Sequence, residues 1–379
     1  MPPSGHCSSQ SPETINRKIN KSAFNNNNNN HIKFTKDMDV PEQTAANKAL
    51  REKMAALHKT GLISAIITVG MYYYGTTVVG TNMMVDPRQN TWIMMQSSSA
   101  ILVLSLVFIF GVTVWGPWVM RNRQPVKGLK NVMIMYNVLQ VVYNCYVFYL
   151  MCVGGWINGY SLTCQQCDYS NNPQAITMLH GAYWYYISKF IDLLDTVFFV
   201  MNKKYEHVSL LHVIHHSVMP VNTFFVIRYM PGGHSTFIGL LNSFVHIVMY
   251  FYYCVAAMGP RFRKFLWWKR YLTKLQLSQF IAVILHSSQL AFIDCPIDAS
   301  MTRFLLATTY MFLFLFSDFY IKAYLSKKQK MEEREQEKLK SLAKSKRNST
   351  TSGVVEAVQR TANNIFNLPT APCFLQNNT

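Results

Sequence analysis

The chain has 379 residues and a formal net charge of +18, and half of its residues are hydrophobic. Its polar residues collect at the two ends and its apolar residues in the middle, which is unlike a chain of two or three soluble domains. The basic residues are dispersed over loops and a mixed-charge tail, whereas a nucleic-acid-binding protein carries a folded basic module. The composition therefore indicates an integral membrane protein.

The N-terminal region is too polar to bury a core of its own. Residues 1–60 contain a run of asparagines at 25–30 and no apolar helical stripe, so we predict that they form a disordered tail. Residues 61–85 are expected to form an interfacial segment or an additional membrane segment. The stretch 61–81 is uncharged, but we favour the interface because glycines interrupt it at Gly70, Gly75 and Gly80.

Seven long apolar segments follow, within a domain that we place at 86–328. Each has about the 20 residues that cross a hydrocarbon core. In lipid such a segment must be a helix, because a helix satisfies its own backbone amides. We expect the segments at 98–119, 131–153, 179–201, 208–227, 234–258, 275–293 and 303–324. The sequence thus predicts an all-α membrane protein, a bundle of seven transmembrane helices.

The loops indicate the orientation of this bundle. Basic residues concentrate in the connections 120–130, 202–207 and 258–274, whereas the alternate connections hold only Arg228 and Arg303. By the positive-inside rule the basic connections face the cytosol. Residues just before the first segment are then lumenal and the C-terminus is cytosolic. The last part of the chain, 329–379, is expected to be a cytosolic tail that is either a solvated charged helix or disordered.

Three cysteines fall in connections that we expect to be lumenal, where disulfides persist. Cys164 and Cys167 lie in the connection 154–178, and Cys295 lies in the connection 294–302. We expect one of the first two to form a disulfide with Cys295. The alternative is a Cys-x-x-Cys metal or redox motif, although no second pair accompanies it in the sequence.

Three histidines open the fourth apolar segment. His212, His215 and His216 are spaced i, i+3, i+4, so on a helix their imidazoles share one face. The segment enters the membrane from the cytosolic side near Val208, which places these histidines within reach of a soluble, charged co-substrate. Ionisable groups at the edge of a bilayer are costly and usually functional, so we predict that this cluster carries the chemistry.

The third segment contains charges inside an otherwise apolar span. Lys189, Asp192 and Thr196 form one stripe, and Asp195 is offset toward an adjoining face. Such charges must pair, become neutral or face a watered cavity. The alternative to a functional role is a structural salt bridge that locks two helices together.

The fifth and sixth segments also carry polar side chains at helical spacing. Asn242, His246, Tyr250 and Tyr253 follow one face of the fifth segment. A lone histidine in a bundle is more often a packing residue than a catalyst, and this alternative stays open for His246. In the sixth segment Gln276 and Gln279 could simply join helices through hydrogen bonds.

Together these motifs resemble the signature series of the very-long-chain fatty-acid elongases, in family order. The series comprises Lys189-x-x-Asp192-x-x-Asp195-Thr196, His212-x-x-His215-His216, Asn242-x-x-x-His246-x-x-Met249-Tyr250-x-Tyr252-Tyr253 and Thr273-x-x-Gln276-x-x-Gln279. Asp86-Pro-Arg88, Gly259-Pro260 and Leu266-Trp-Trp-Lys269 are similar too, so the resemblance covers 86–328. One departure is Asp192, where the family pattern usually has Glu. Its shorter side chain retracts the carboxylate by about one methylene, which puts any hydrogen bond through it in doubt.

The resemblance implies a seven-helix endoplasmic reticulum protein whose helices enclose a tunnel for an acyl chain. Such a protein condenses a long-chain acyl-CoA with malonyl-CoA and releases carbon dioxide, CoA and a lengthened 3-oxoacyl-CoA. Acyl-CoA and malonyl-CoA are the co-substrates, and no cofactor or metal is expected. A ketoreductase, a dehydratase and an enoyl reductase would be partners in the elongation cycle. A homodimer is one arrangement that the sequence leaves open.

We expect His215 to be the nucleophile that accepts the acyl group, because a neutral imidazole attacks a thioester readily. His212 and His216 would orient it, take its proton or stabilise charge, and His246 would act in the second half-reaction. Lys189 would hold a carboxylate or phosphate, and Asp192 and Asp195 would tune nearby imidazoles. The supporting and carbonyl-binding residues would be Thr196, Asn242, Tyr250, Tyr253, Gln276 and Gln279.

Two other classes of protein share part of this pattern. Membrane di-iron desaturases and hydroxylases have His-x-x-His-His boxes, but they need further boxes. This chain has eleven histidines, and three of them, His6, His31 and His58, lie in the polar N-terminal region.

A seven-helix receptor or transporter would have the same orientation. The concentration of ionisable residues toward the cytosolic half of the bundle argues against that class.

Overall fold

The computed structural model describes residues 40–326, 329–341 and 356–360, and no β-strand occurs in this part of the chain. The helices are α1 (Val40–Tyr74), α2 (Ser98–Met120), α3 (Leu129–Trp156), α4 (Pro173–Ile191), α5 (Leu193–Met201), α6 (Leu210–Tyr229), α7 (Thr236–Met258), α8 (Lys269–Ser288) and α9 (Ala299–Tyr320). A π-helical turn, Gly75–Val79, extends α1, and another, Ile321–Leu325, extends α9. The described chain is therefore all-helical, as the sequence predicted.

Six stretches in the described part of the chain are long and apolar enough to cross a membrane. They are Lys48–Val79, Ser98–Met120, Leu129–Trp156, Leu210–Tyr229, Gly233–Met258 and Ala299–Ser341. The last five overlap predicted segments, and the first contains most of the stretch 61–81, whose glycines favoured the interface. The protein is thus a multi-pass membrane protein with six candidate spans.

The other two predicted segments differ from the observed helices. The segment 179–201 falls on two helices, α4 and α5, which are interrupted at Asp192 although its backbone keeps helical dihedral angles (φ −59°, ψ −22°). The segment 275–293 falls on α8, which begins earlier, at Lys269. Three charged residues lie around the interruption and three basic residues lie in the first two turns of α8, and they lower the hydropathy of both regions.

The two polar ends also differ in part from the prediction of disorder. Residues 40–60 are helical, because this stretch is rich in good helix formers and because Leu57 is buried in the core with Met54 packed against that core. Residues 1–39 lie outside the described part. At the other end, residues 329–341 form an exposed helix, which is one of the two predicted states of the charged tail. Residues 342–355 and 361–379 are not among those described.

The described residues group into two compact units. The first comprises the chain up to Asn131 together with Tyr186–Tyr229, and the second comprises Val132–Tyr185 together with the chain from Met230 onward. In the first unit α1, α2 and α6 pack on one another. Their shared core contains Leu57, Phe108, Val112, Val208 and Val213. α6 is the most enclosed of these helices, since its residues from Val213 to Ile227 are nearly all buried.

The second unit is built around close contacts of α3 with α4 and of α8 with α9. A Cβ atom placed on Gly154 would lie 2.8 Å from the backbone nitrogen of Met178, so only glycine permits this approach of α3 to α4. Phe280 of α8 packs against Phe316 of α9 with ring centroids 5.1 Å apart. A disulfide between Cys164 and Cys295 joins two connections of the same unit.

Candidate active site

The three clustered histidines lie on one helix and contact one another. α6 begins at Leu210, so they occupy its first two turns. The ring centroids of His212 and His216 are 4.2 Å apart, and those of His215 and His216 are 5.3 Å apart. His216 is buried, whereas His212 and His215 are half-buried. The three rings thus form one continuous group in which His216 contacts both neighbours.

A hydrogen bond from α5 holds the first of these rings. Thr196 is fully buried, and its Oγ1 lies 2.9 Å from Nε2 of His212. Phe199, one turn later on α5, packs against the same imidazole with centroids 5.4 Å apart. α5 therefore fixes both the tilt of the His212 ring and the partner of its Nε2 atom.

The buried charges before α5 form an ion pair. Nζ of Lys189 lies 3.3 Å from Oδ2 of Asp192, and each side chain is about 2% exposed or less. Asp192 is the residue at which α4 gives way to α5, so its shorter arm still reaches the lysine one turn back. The requirement that these charges pair is met. Asp195 follows in the first turn of α5 and is half-buried.

In the second unit, Asn242 lies at the centre of a buried polar group. The hydroxyl of Tyr185 donates to Oδ1 of Asn242 at 3.2 Å, and Nδ2 of Asn242 lies 3.5 Å from Oε1 of Gln279. The sequence prediction missed Tyr185. Its position four residues before Lys189, on the same helical stripe, is a signal that would have included it.

The remaining members of the predicted stripe on α7 differ in how deeply they are buried. His246 and Tyr250 are buried, with ring centroids 5.7 Å apart, and Tyr136 of α3 meets Tyr250 edge-on at 6.0 Å. Nε2 of Gln276 lies 3.6 Å from the sulfur of Met249. Tyr253 is 38% exposed, although its ring contacts that of Tyr250. The buried stripe on α7 thus ends at Tyr250.

Two further polar groups were not predicted from the sequence. Tyr136, Gln140 and Asn144 form a buried stripe on α3, in which Nε2 of Gln140 donates to the hydroxyl of Tyr136 at 3.0 Å. Their i, i+4, i+8 spacing could have revealed them. The second group is a stacked pair of buried histidines, His234 and His286, with centroids 3.7 Å apart. They come from different helices and leave no local signal in the sequence.

The structure shows which of the two cysteines in the connection after α3 forms the predicted disulfide. Cys164, and not Cys167, is bonded to Cys295, with Cα atoms 5.8 Å apart.

In the described ranges no group of three or more His, Cys, Asp or Glu side chains is placed to hold a metal ion. The described residues therefore offer no set of ligands for the two irons of a desaturase or hydroxylase.

The chemistry available in the first unit follows from these contacts. The His212 ring is engaged through Nε2 by Thr196, and His216 is enclosed by its neighbours and the core. His215 is half-buried and contacts His216. This arrangement combines an accessible imidazole with a second imidazole beside it, which is the requirement for a nucleophile and an adjacent base.

Comparisons with known proteins agree with the resemblance in the motifs. The family described as ELO: GNS1/SUR4 family matches residues 92–332. A very long chain fatty acid elongase of Aedes aegypti is 49% identical over 246 residues, covering 65% of this chain and 68% of that protein. Very long chain fatty acid elongase 7 of Drosophila melanogaster is 49% identical over 243 residues, covering 64% and 74%. Very long chain fatty acid elongase 4 of Homo sapiens is 41% identical over 240 residues, covering 63% and 76%. The chain belongs to the ELO family, also described as the GNS1/SUR4 family.

Proposed function

We propose that this protein is the condensing enzyme of fatty-acid elongation, which joins a long-chain acyl-CoA to malonyl-CoA. The observation that carries the proposal is the contacting histidine group at the start of an apolar helix, in a chain of the ELO family. The relatives named as very long chain fatty acid elongases support the same reaction. The receptor, transporter and di-iron alternatives have no comparable support.

In the first half-reaction His215 attacks the thioester carbonyl carbon. The bond from that carbon to sulfur breaks, CoA leaves, and the acyl group is held on the imidazole. A proton from the ring nitrogens ends on the CoA sulfur through His216 or His212. We assign the attack to His215 because it is more accessible than His216, and because Thr196 already occupies Nε2 of His212.

In the second half-reaction malonyl-CoA loses carbon dioxide, and the electron pair of the broken carbon–carbon bond attacks the acyl carbonyl. The bond to His215 breaks, and the leaving imidazole regains a proton from water through its neighbours. His246 assists this step, with Asn242, Tyr250, Tyr253, Gln276 and Gln279 as donors to carbonyl oxygens. Lys189 binds a substrate carboxylate or phosphate when its buried ion pair with Asp192 opens, and Asp192 and Asp195 tune nearby imidazoles.

We place this reaction in the endoplasmic reticulum membrane, with the C-terminus in the cytosol. α4 together with α5, and α8, complete a set of seven family spans that enclose the acyl chain in a tunnel. The basic connections attract the polyanionic CoA groups from the cytosolic side. The product is a 3-oxo compound, so a ketoreductase, a dehydratase and an enoyl reductase act after this enzyme.

The decisive experiment separates the two half-reactions. Purified protein is incubated with acyl-CoA alone and then with malonyl-CoA, and mass spectrometry follows both the small molecules and the protein. We expect an acyl adduct on His215 that disappears when malonyl-CoA is added and 3-oxoacyl-CoA forms.

The variant His215→Ala should lose the adduct and the product. His58→Ala, an exposed histidine of α1, is the matched control and should keep both. An adduct that persists in His215→Ala would refute the assignment of the nucleophile. Absence of 3-oxoacyl-CoA from wild-type protein over a full acyl-CoA series would refute the proposed reaction.

A further inference from the structure

A long helix precedes the part of the chain that matches the family. α1 and its π-helical turn run from Val40 to Val79, whereas the family match begins at residue 92. Residues 61–80 contain no charged side chain. The elongase resemblance does not account for this helix, which is nevertheless part of the first unit, together with the histidine-bearing α6.

The two faces of this helix have the pattern of a membrane span. Most residues of 61–80 that are buried against its neighbours are small or weakly polar, namely Gly61, Ser64, Thr68 and Gly75, and Val79 is buried with them. The outward face is large and apolar, with Leu62 and Ile66 more than 60% exposed. A helix that lies in the membrane interface needs a charged or strongly polar face opposite its apolar one, and this helix has none over 61–80. Small residues inside and large apolar residues outside are typical of a helix surrounded by lipid.

Two of the three glycines that favoured the interface in the sequence, Gly75 and Gly80, are contact points, whereas Gly70 is exposed and has open space beside it. A Cβ atom on Gly75 would lie 2.5–2.8 Å from the ring of Phe225, and one on Gly80 would lie 3.1 Å from the hydroxyl of Tyr229. Both partners are on α6. Glycine weakens an isolated helix, but here it permits the side chains of α6 to come close.

Successive contacts fix the direction of α1 relative to α6. Leu57 shares a core cluster with Val208, just before α6 begins. Further along, the contacts pair Thr68 with Ser217, Gly75 with Phe225 and Gly80 with Tyr229. Each later residue of α1 therefore meets a later residue of α6, so the two helices run parallel. From Leu57 to Gly80 the helix rises by about 35 Å at 1.5 Å per residue, enough to cross a hydrocarbon core of about 30 Å.

One of these contacts is a hydrogen bond next to the histidine group. Oγ1 of Thr68 lies 2.8 Å from the backbone carbonyl of Ser64 on its own helix and 3.0 Å from Oγ of Ser217 on α6, so its one proton is shared between the two acceptors. Ser217 donates in turn to the backbone carbonyl of Ile214 at 3.2 Å. Ser217 follows His216 directly in the chain. All four groups are buried, so the bond holds α6 in one register against α1 beside the imidazoles.

We propose that residues 57–80 cross the membrane as an additional span, parallel to α6, and that Thr68 is a positioning residue for the histidine group. This span brings the start of α1 to the same side of the membrane as the start of α6. The basic residues at that end agree with a cytosolic location, and they are Lys48, Arg51, Lys53 and Lys59.

The crossing is tested by cysteines placed at the two ends of α1. Lys53→Cys and Met84→Cys both introduce exposed thiols, since Lys53 is exposed and Met84 is 89% exposed. Sealed microsomes are treated with a membrane-impermeant maleimide, and modified peptides are identified by mass spectrometry. We expect position 53 to react at once and position 84 only after detergent is added. Equal labelling of both positions in sealed microsomes would overturn the crossing.

The positioning role rests on the proposed function and is tested by condensation kinetics. Thr68→Val should lower kcat about tenfold, because a small displacement of a reacting group is costly, while KM for malonyl-CoA stays nearly constant. Thr68→Ser should restore kcat. Thr77→Val is the control, because the exposed Thr77 hydroxyl donates only to its own helix, at Tyr73 O, 2.8 Å away, and at Tyr74 O, 3.5 Å away.

A double-mutant cycle covers the case in which Thr68→Val does not fold. Thr68→Ala and Ser217→Ala should together reduce kcat no more than either change alone, because they remove the same bond. Additive losses, or an unchanged kcat in Thr68→Val, would overturn the positioning role. If wild-type protein shows no condensation, the proposed function fails, while the cysteine labelling still decides whether α1 crosses the membrane.

Discussion

Thr196 determines which nitrogen of His212 is available to the rest of the histidine group. Its hydroxyl occupies Nε2 at 2.9 Å, so proton exchange with other groups must use the opposite ring nitrogen or wait for this bond to break. The bond also ties α5 to the first turn of α6. A single buried hydroxyl thus holds the orientation of one imidazole and occupies one of its two ring nitrogens.

Replacing Thr196 by Val should therefore impair condensation more than folding. The change keeps the shape of the side chain and removes the hydroxyl, and we expect kcat to fall about tenfold. Thr196→Ser should retain most of the activity. Thr223→Val is a matched control, because its buried hydroxyl bonds to its own helix at Met219 O, 2.7 Å away. Steady-state kinetics on the three purified variants checks this, and an equal loss in Thr223→Val would contradict it.

The ion pair of Lys189 and Asp192 affects the stability of the protein. Because both groups are buried, removal of one partner leaves an uncompensated charge and should destabilise the protein by about 3–5 kcal/mol. We expect Asp192→Ala to lower the thermal unfolding temperature in detergent, and Lys189→Met combined with Asp192→Ala to recover part of the loss. A double variant that is less stable than Asp192→Ala would contradict this.

For individual residues, the sequence predicted some members of the site and missed others. Thr196 and His212 belong to recognisable motifs with helical spacing, so their inclusion needed no coordinates. Tyr185 shares a helical stripe with Lys189, but its contact with Asn242 joins residues 57 positions apart and could not be predicted from that stripe. Spacing along one helix predicts shared faces, but it cannot pair residues of two helices whose packing is unknown.

At the scale of helices, hydropathy predicted the strongly apolar segments and failed where polar residues interrupt them. The predicted boundaries 98–119 and 131–153 lie close to those of α2 and α3. Charged residues lower the hydropathy around Asp192, but hydropathy does not show at which residue the helix is interrupted. For α1 the glycines favoured an interfacial segment, but the effect of a glycine on a membrane helix depends on the helix that packs against it.

The disulfide stabilises the connection between α8 and α9 against the connection after α3. It closes a loop with a sequence separation of 131 residues, which in the chain-entropy model stabilises the folded state by about 5 kcal/mol. We expect Cys295→Ser to lower the thermal unfolding temperature strongly. Cys145→Ser, which changes an exposed free cysteine, should have little effect.

Cys167 provides a separate test of which cysteine forms the bridge. Peptide mapping without reduction should find Cys164 linked to Cys295 in wild-type protein and in Cys167→Ser alike. Loss of the linked peptide in Cys167→Ser would show that Cys167 takes part in the bond.

At the scale of the whole molecule, the net charge of +18 makes substrate capture sensitive to salt. Both CoA substrates are polyanions, and the Debye length falls from about 30 Å to about 3 Å as ionic strength rises from about 0.01 M to about 1 M. We expect KM for malonyl-CoA to rise over this range while kcat changes little. Lys274→Ala, in the second turn of α8 and at the end of the predicted basic connection 258–274, should weaken the salt dependence, and Lys338→Ala, in the exposed helix 329–341, should not. Identical salt profiles in all three proteins would contradict steering by the connections.

The position of the disulfide along the chain also imposes an order on biosynthesis. Cys164 leaves the ribosome long before Cys295, which is encoded 131 residues later. The bridge can therefore close only after α8 has been made, and any chain released earlier keeps an open thiol at Cys164. Oxidation of this pair marks synthesis of the chain through Cys295, so a cell that retains molecules with an unpaired Cys164 would hold back copies truncated before that residue.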